Sequence, residues 1–264
     1  VDTPSGRKKH ALITGASSGI GKEIAKALAA EAYQPILVGR HRDTLEQAAR
    51  EILGERGTDA VICPADLSEG DAPQAIFDHL HERGITVDLL VNNAGLLFDG
   101  DFTAIALQDH LQLLHVNVVA LTAMTRLFIE PMLRRADGRI LNVASVAAFA
   151  PVPTLAVYAA SKAYVLSLTE SMAEELKGTG VTVTALCPGV TDTPMMHRSP
   201  RGEHLPAAIV MDAASVARQG VAACLAGDTV CVAGIYNSLL ARGVHLVPRE
   251  VTRTVAGYMV RQLR

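Results

Sequence analysis

Short apolar runs rich in β-branched residues alternate along the chain with longer segments in which apolar positions recur at helical spacing. That alternation predicts strands joined by crossover helices. Strands are expected to start near Ala11, Gln34, Ala60, Asp88, Arg139, Thr182 and Thr229. These runs are apolar on both faces, so helices should cover both sides of the sheet, as in a parallel sheet. Ile20, Ile24, Ala27 and Leu28 form one helical stripe, Leu45, Ala49 and Ile52 a second, and Val165, Leu168, Met172 and Leu176 a third. Asp43 followed by Glu46 predicts a cap that starts the second helix. Short right-handed connections between such elements give an α/β fold, a Rossmann-like doubly wound parallel sheet of about seven strands.

Composition narrows the picture. The 264 residues are 49% apolar, 19% charged and 4% aromatic, which excludes a disordered chain and a disulfide scaffold. No repeat, low-complexity tract or Gly/Ser linker divides the chain, so residues 1–8 are expected to be a flexible tail and 9–264 a single domain. Residues 140–161 carry no charge, but Asn142, Ser145, Pro151 and Pro153 interrupt them; a strand followed by the start of a helix is expected, not a membrane span. Lys+Arg number 24 against 27 Asp+Glu, without a basic run, so a small neutral partner fits better than a nucleic acid. Cys63, Cys187, Cys224 and Cys231 show no metal-ligand spacing and read as buried thiols of a reducing compartment. Val1 to His10 lacks the apolar core of a signal peptide, which points to a cytoplasmic location.

Candidate chemistry begins after the first strand, at Thr14-Gly15-Ala16-Ser17-Ser18-Gly19-Ile20-Gly21. Glycines at this spacing let the backbone turn tightly and approach a pyrophosphate at a helix N-terminus, although the order G-x-x-x-G-x-G differs from the commoner dinucleotide fingerprint. The second strand ends at Gly39-Arg40-His41-Arg42, with no carboxylate before Asp43. Guanidinium groups there suit the extra phosphate of NADP, which favours NADP(H) over NAD(H); the alternative is that Arg40 and Arg42 are only the solvated front of a helix. Farther on, Tyr158 and Lys162 share a helix face at i and i+4, and a cation beside a phenol stabilises the phenolate that proton transfer to or from an alcohol requires.

Together with Asn92-Asn93-Ala94-Gly95, with Ser145 thirteen residues before Tyr158, and with Pro188-Gly189 after the sixth strand, these motifs resemble the short-chain dehydrogenase/reductase family from about Lys9 to the final helix. The resemblance implies Tyr158 as general acid/base and Lys162 as the group that lowers its pKa and binds the nicotinamide ribose. It implies Ser145 as a hydrogen-bond partner of the substrate oxygen and Asn117 as the residue that holds a relay water. It further implies that Asp66-Leu67 contact the adenine, Asn93, Ala94 and Gly95 line the adenosine side, and Pro188, Gly189, Val190 and Thr193 cover the nicotinamide. Each residue has a plainer alternative: Ser145 as a strand end, Asn117 as a helix-kinking side chain, Asp66 as a cap.

Specificity is expected in the loops over the nicotinamide, with Val146, Phe149, Val152, Leu155, Gly189, Met195, Met196 and His197 as candidate walls for an apolar ketone or alcohol. Residues 195–206 read as a mobile lid, and His197 as the least secure wall. Val247, Val251, Val255, Met259 and Leu263 recur every four residues and predict a closing helix. The resemblance implies a homodimer or homotetramer through the helices of Asn117 and Tyr158, with Leu113, Leu121, Val165 and Leu168 available for contact. The expected activity is NADP(H)-dependent interconversion of a ketone and a secondary alcohol. Alternatives are an NAD-dependent alcohol or hydroxysteroid-type dehydrogenase working oxidatively and a non-catalytic nucleotide sensor. No metal is called for.

Overall fold

The computed structural model describes residues 7–199, 206 and 209–244. Within them seven strands form one parallel sheet: β1 (Lys9–Thr14), β2 (Tyr33–Gly39), β3 (Val61–Pro64), β4 (Val87–Asn92), β5 (Gly138–Val143), β6 (Val181–Cys187) and β7 (Val230–Val232). Their spatial order is β3-β2-β1-β4-β5-β6-β7, so the winding reverses between β1 and β4. The ends of those two strands open the crevice where ligands bind in such sheets. The single Rossmann-like α/β domain and all seven strand positions agree with the sequence pattern.

The apolar runs serve two cores at once, because successive side chains of a strand point to opposite faces. Ile13, Leu37, Leu89, Val91 and Leu141 face α1 (Gly19–Ala30), α2 (Arg42–Arg56) and α8 (Ala213–Ala226). Their neighbours Leu12, Ile36, Leu90 and Ile140 face the other layer, with α3 (Ala72–Glu82) and α5 (Leu121–Arg135). Ile24, Leu28, Leu45, Ile52 and Val165 are fully buried. Pro35 is tolerated inside β2 because pairing with β3 starts only at Ile36, leaving one side of the strand open there.

α4 (Leu107–Leu114) runs without a break through a π-turn (His115–Ala120) into α5. Among the described residues this run is the one long and apolar enough to cross a membrane by length and composition, yet Met124 and Met132 are fully buried against the sheet. Residues 140–161 form β5, a 3-10 turn (Val146–Ala148) and the start of α6 (Ala156–Glu175), as the interrupting prolines suggested. A short α7 (Pro194–His197) follows β6, and α9 (Ile235–Val244) follows β7.

Two expectations need correction. Of the expected tail, residues 1–6 lie outside the described residues, while Arg7 pairs with the buried Asp88, whose other oxygen accepts the His10 amide at 2.9 Å. Asp43 is not the cap of α2, because the helix begins at Arg42 with His41 in the cap position, so Asp43 lies inside the first turn, where its charge complements the helix dipole. Leu113, Leu121 and Val165 are buried in their own chain and Leu168 packs against the same core, so they are not free for a partner. On the same helices Leu107, Leu111, Leu114, Val119, Leu133 and Tyr164 are exposed. Val247 to Leu263 and residues 200–205 lie outside the described residues.

Candidate active site

The crevice is built from the glycine turn upward. Gly15 (φ +65°) and Gly19 (φ +55°) occupy the left-handed region that other residues avoid. A Cβ on Gly21 would stand 2.3 Å from Asn93 Nδ2 and 2.4 Å from the Gly15 carbonyl oxygen, so only glycine lets α1 start this close to β4. Asn93 Nδ2 donates to the carbonyls of Thr14 (2.9 Å) and Gly15 (3.1 Å). The Thr14 hydroxyl accepts the amides of Asn93 (2.9 Å) and Ala94 (3.0 Å) and donates to Val91 O (3.2 Å). Thr14, which sequence reasoning left without a role, thus rivets the two strands where they part.

A cleft of about 840 Å³ runs across these strand ends. Gly15, Ser17, Ser18, Gly19 and Ile20 line its floor; Asn93, Ala94 and Gly95 form one wall; Arg40, Asp66 and Leu67 close one end. Ser18 stands at the N-cap of α1 without a side-chain cap bond, so its hydroxyl is available to a ligand. The open floor, the glycines whose Cβ atoms would fill it and the helix N-terminus fit a pyrophosphate. Arg40 is exposed and lines the cleft, whereas Arg42 begins α2, lies 3.7 Å from Glu46 and stands outside the lining. Asp66 accepts the amide (2.9 Å) and hydroxyl (2.8 Å) of Ser68, so its carboxylate shapes the turn under the cleft and does not cap α3.

At the inner end, a Cβ on Gly95 would lie 3.3 Å from Asn117 Oδ1 and 3.6 Å from Lys162 Nζ, which sets the depth of the reacting groups below the cleft wall. Asn117 is buried, and its side chain is fully engaged: Oδ1 accepts Leu96 N (2.8 Å), while Nδ2 donates to Leu96 O (3.0 Å) and Ser161 Oγ (3.1 Å). It sits in the π-turn, a distortion common at functional sites. Ser145 ends the segment after β5, its Oγ accepting Ala147 N at 3.1 Å, and its hydroxyl stands near enough to the Tyr158 phenol to favour the phenolate. Lys162 is buried, lies 5.7 Å from the Tyr158 ring centre and donates to Val143 O at 2.7 Å.

Burial pushes the Tyr158 phenol above its ordinary value, opposed by the nearby Ser145 hydroxyl. Burial also pushes Lys162 down to about 8. In the protein alone the ammonium is spent on a carbonyl, and desolvation dominates both groups. The thiols behave as inert core groups, with Cys187 beside the site pushed up to about 12 by burial.

After β6, Pro188 O accepts Val146 N (2.9 Å), and Val190 O accepts Met211 N (2.9 Å). Pro188, Gly189 and Val190 lie outside the cleft lining, and a Cβ on Gly189 would meet Asn237 Nδ2 at 2.3 Å, so this glycine is needed to seat α9. Thr193 lines the cleft and caps α7, accepting Met196 N at 3.3 Å. Of the candidate substrate walls, Met195 lines the cleft, while Val146, Val152, Leu155 and Met196 are half-buried outside its lining. Phe149 leans on the core cluster of Leu121 and Val165, so the core claims much of its ring. His197 is exposed and held by Asp192 at 2.8 Å, which takes it away from the wall.

Sequence reasoning missed Leu96, Phe98, Asp99, Asp109 and Gln112, which also line the cleft. Asp99 ties two loops together, accepting Thr154 Oγ1 (3.2 Å) and Ser199 Oγ (2.6 Å). Thr154 adopts φ +67°, unusual for a β-branched residue. Leu96, Phe98 and Asp99, in the loop after β4, follow no periodicity, while Asp109 and Gln112 stand on α4.

The family model described as short chain dehydrogenase matches residues 9–204. The chain belongs to the short-chain dehydrogenase family. It is 38% identical over 187 residues to an uncharacterised oxidoreductase of Bacillus subtilis, covering 71% of this chain and 70% of that one. Its fold superposes on a short-chain dehydrogenase from Sphingobium yanoikuyae in complex with NADPH, with TM-score 0.80, 28% identity and coverage of 90% and 94%. A 3-ketoacyl-(acyl-carrier-protein) reductase from Brucella melitensis complexed with NADH is similar at TM-score 0.76 and 30% identity, covering 86% and 97%. This short-chain dehydrogenase is accordingly an NAD(P)-dependent oxidoreductase acting on a small molecule.

Proposed function

We propose that this short-chain dehydrogenase interconverts a ketone and a secondary alcohol, with NADP(H) favoured over NAD(H) and Tyr158 as general acid/base. The observation that carries the reading is the cluster of half-buried Ser145 and Tyr158 with buried Lys162, set behind Gly95 at the inner end of a cleft whose other end presents Arg40. The nicotinamide, when bound, supplies or takes up the hydride. The protein's part is to hold the substrate oxygen between the Ser145 hydroxyl and the Tyr158 phenol, and to deliver the proton from Tyr158 in reduction. Lys162 would replenish the charge balance beside Tyr158 once its ammonium turns from Val143 O to a ribose hydroxyl. Asn117 anchors Leu96 and the π-turn and so fixes the wall behind Lys162.

The preference for NADP(H) rests on Arg40 at the cleft and the absence of a carboxylate between Gly39 and Arg42, since a guanidinium pairs with a 2′-phosphate that an acid would repel. The apolar residues Leu96, Phe98, Ile105 and Met195 near the reacting end support a hydrophobic substrate. The complete set of Asn117, Ser145, Tyr158 and Lys162 argues against a non-catalytic sensor.

A cofactor titration followed by thermal stabilisation tests both parts. NADPH should stabilise the wild type well beyond NADH, and Arg40→Ala should remove the difference; equal stabilisation by the two would overturn the preference. Tyr158→Phe should lower kcat by about a hundred-fold to ten-thousand-fold while NADPH stabilisation stays close to wild type, and retained turnover would overturn the role of Tyr158.

A further inference from the structure

The β4–β5 ladder ends on a polar rung. Its last pair is Asn92 opposite Asn142, while the β5–β6 ladder runs one residue further, to Val143 opposite Leu186. Asn142 is completely buried. Its Oδ1 accepts Asn92 Nδ2 at 2.9 Å, and its Nδ2 donates to Thr169 Oγ1 at 2.9 Å. Thr169, also completely buried, donates its hydroxyl hydrogen bond to Val165 O at 2.7 Å. Asn92 Nδ2 donates also to Thr125 Oγ1 at 2.9 Å. Every group of the Asn142–Thr169 contact is therefore satisfied, and a satisfied polar contact in a dry core allows one relative placement of the two elements, where apolar packing would allow several.

The placement matters because of what lies one residue up the strand and two turns back along the helix. The carbonyl following Asn142, that of Val143, accepts Lys162 Nζ, and Lys162 shares the buried face of α6 with Thr169, Val165 and Ser161. Ser161 pins the same helix at its other end, accepting Asn117 Nδ2 and donating to Tyr158 O at 2.7 Å. α6 is thus held by two hydroxyl pegs, with Lys162 between them.

We infer that Thr169, through Asn142, is a positioning residue for Lys162: it fixes how far α6 stands along β5 and thereby where the lysine nitrogen lies relative to Tyr158. The inference rests on the reading of the active site above and extends it to a residue that touches neither substrate nor cofactor.

The test uses Thr169→Val, which keeps shape and leaves Asn142 Nδ2 without an acceptor, and Thr169→Ser, which keeps the hydroxyl. Three readouts are compared on the full chain: kcat against pH at saturating NADPH and ketone, stabilisation by NADPH, and thermal stability. For Thr169→Val the expected result is a fall in kcat of about ten-fold. The limb of the pH profile should also be displaced by about half a unit or more, with NADPH stabilisation lowered less than kcat, since the displaced ammonium is one of many contacts to the cofactor. Thr169→Ser should restore kcat and the profile. A loss of thermal stability with kcat and its pH profile unchanged would make Thr169 a purely structural residue and overturn the proposal, as would failure of the serine variant to restore them. If the valine variant does not fold, Thr169→Ala, which leaves room for a water beside Asn142, is judged by the same criteria. Should Tyr158→Phe keep turnover, the reading of the site fails instead. The placement of Lys162 is then judged from the pH dependence of stability of Thr169→Val, whose rise across the titration range of Lys162 would be displaced if the proposal holds and unchanged if it does not.

Discussion

The two ends of the cleft are built by different means. At the glycine turn, backbone meets backbone: Gly15, Gly19 and Gly21 leave no room for side chains, and Thr14 and Asn93 close the seam with hydrogen bonds to main-chain groups. At the reacting end the walls are side chains brought from separate loops, and the bonds that hold them, Asp99 with Thr154 and with Ser199, join segments far apart in sequence. The first end can take one kind of ligand, a diphosphate on a helix N-terminus. The second can change its ligand through a few substitutions without disturbing the sheet, which is why fold and cofactor class follow from this structure more directly than the substrate does.

The comparison can be broken most severely at Gly21. Gly21→Ala puts a Cβ into Asn93 and the Gly15 carbonyl, and the expected outcome is loss of NADPH stabilisation by about a hundred-fold or more in apparent affinity, with a destabilisation of about 1–3 kcal/mol. Retention of NADPH binding would show that the cofactor end is more adaptable than its geometry implies.

A smaller effect should appear as a function of pH. Lys162 lies at about 8 in the folded chain against an ordinary 10.5, so between those values the unfolded chain holds a proton that the folded one has released. Its contribution to stability therefore rises with pH across that window, by about 3 kcal/mol at most, and is least below it. Tyr158, raised by burial, acts oppositely above its ordinary value of 10.0, where the unfolded chain alone loses the phenolic proton. Lys162→Met should flatten the rise, as read from urea midpoints at a series of pH values; an unaltered slope would contradict the burial of the ammonium.

The smallest effect is expected at the reacting end. Ser199→Ala removes one bond of a half-buried contact and should cost about 1 kcal/mol or less in stability, changing KM for the ketone a few-fold with NADPH binding intact. A change in NADPH affinity as large as that in KM would mean that the two ends are not independent.

What the sequence disclosed follows the same division. The glycine turn and the Tyr158–Lys162 pair were legible because backbone constraints and helical spacing act over a few residues, whereas the Asn93 wall followed only from the family resemblance. Arg40 and Arg42 looked equivalent, since only the folded chain shows that α2 begins between them and turns Arg42 toward Glu46. Leu121 follows the π-turn, whose inserted residue rotates the faces of the helix beyond it, whereas Leu113 precedes the turn, and its apolar character alone did not tell it from its exposed neighbours Leu111 and Leu114. Asp99 gave no local signal at all, as its partners are distant in the chain.

One further consequence lies at the borders of the sheet. The outermost strands, β3 and β7, are four and three residues long and are the shortest of the seven. A border that short offers a passing strand few unpaired amides to zip onto, and β3 ends in Pro64, which has none to give. A chain with 49% apolar residues and seven sticky strands thereby carries its own protection against growing edge to edge into fibres.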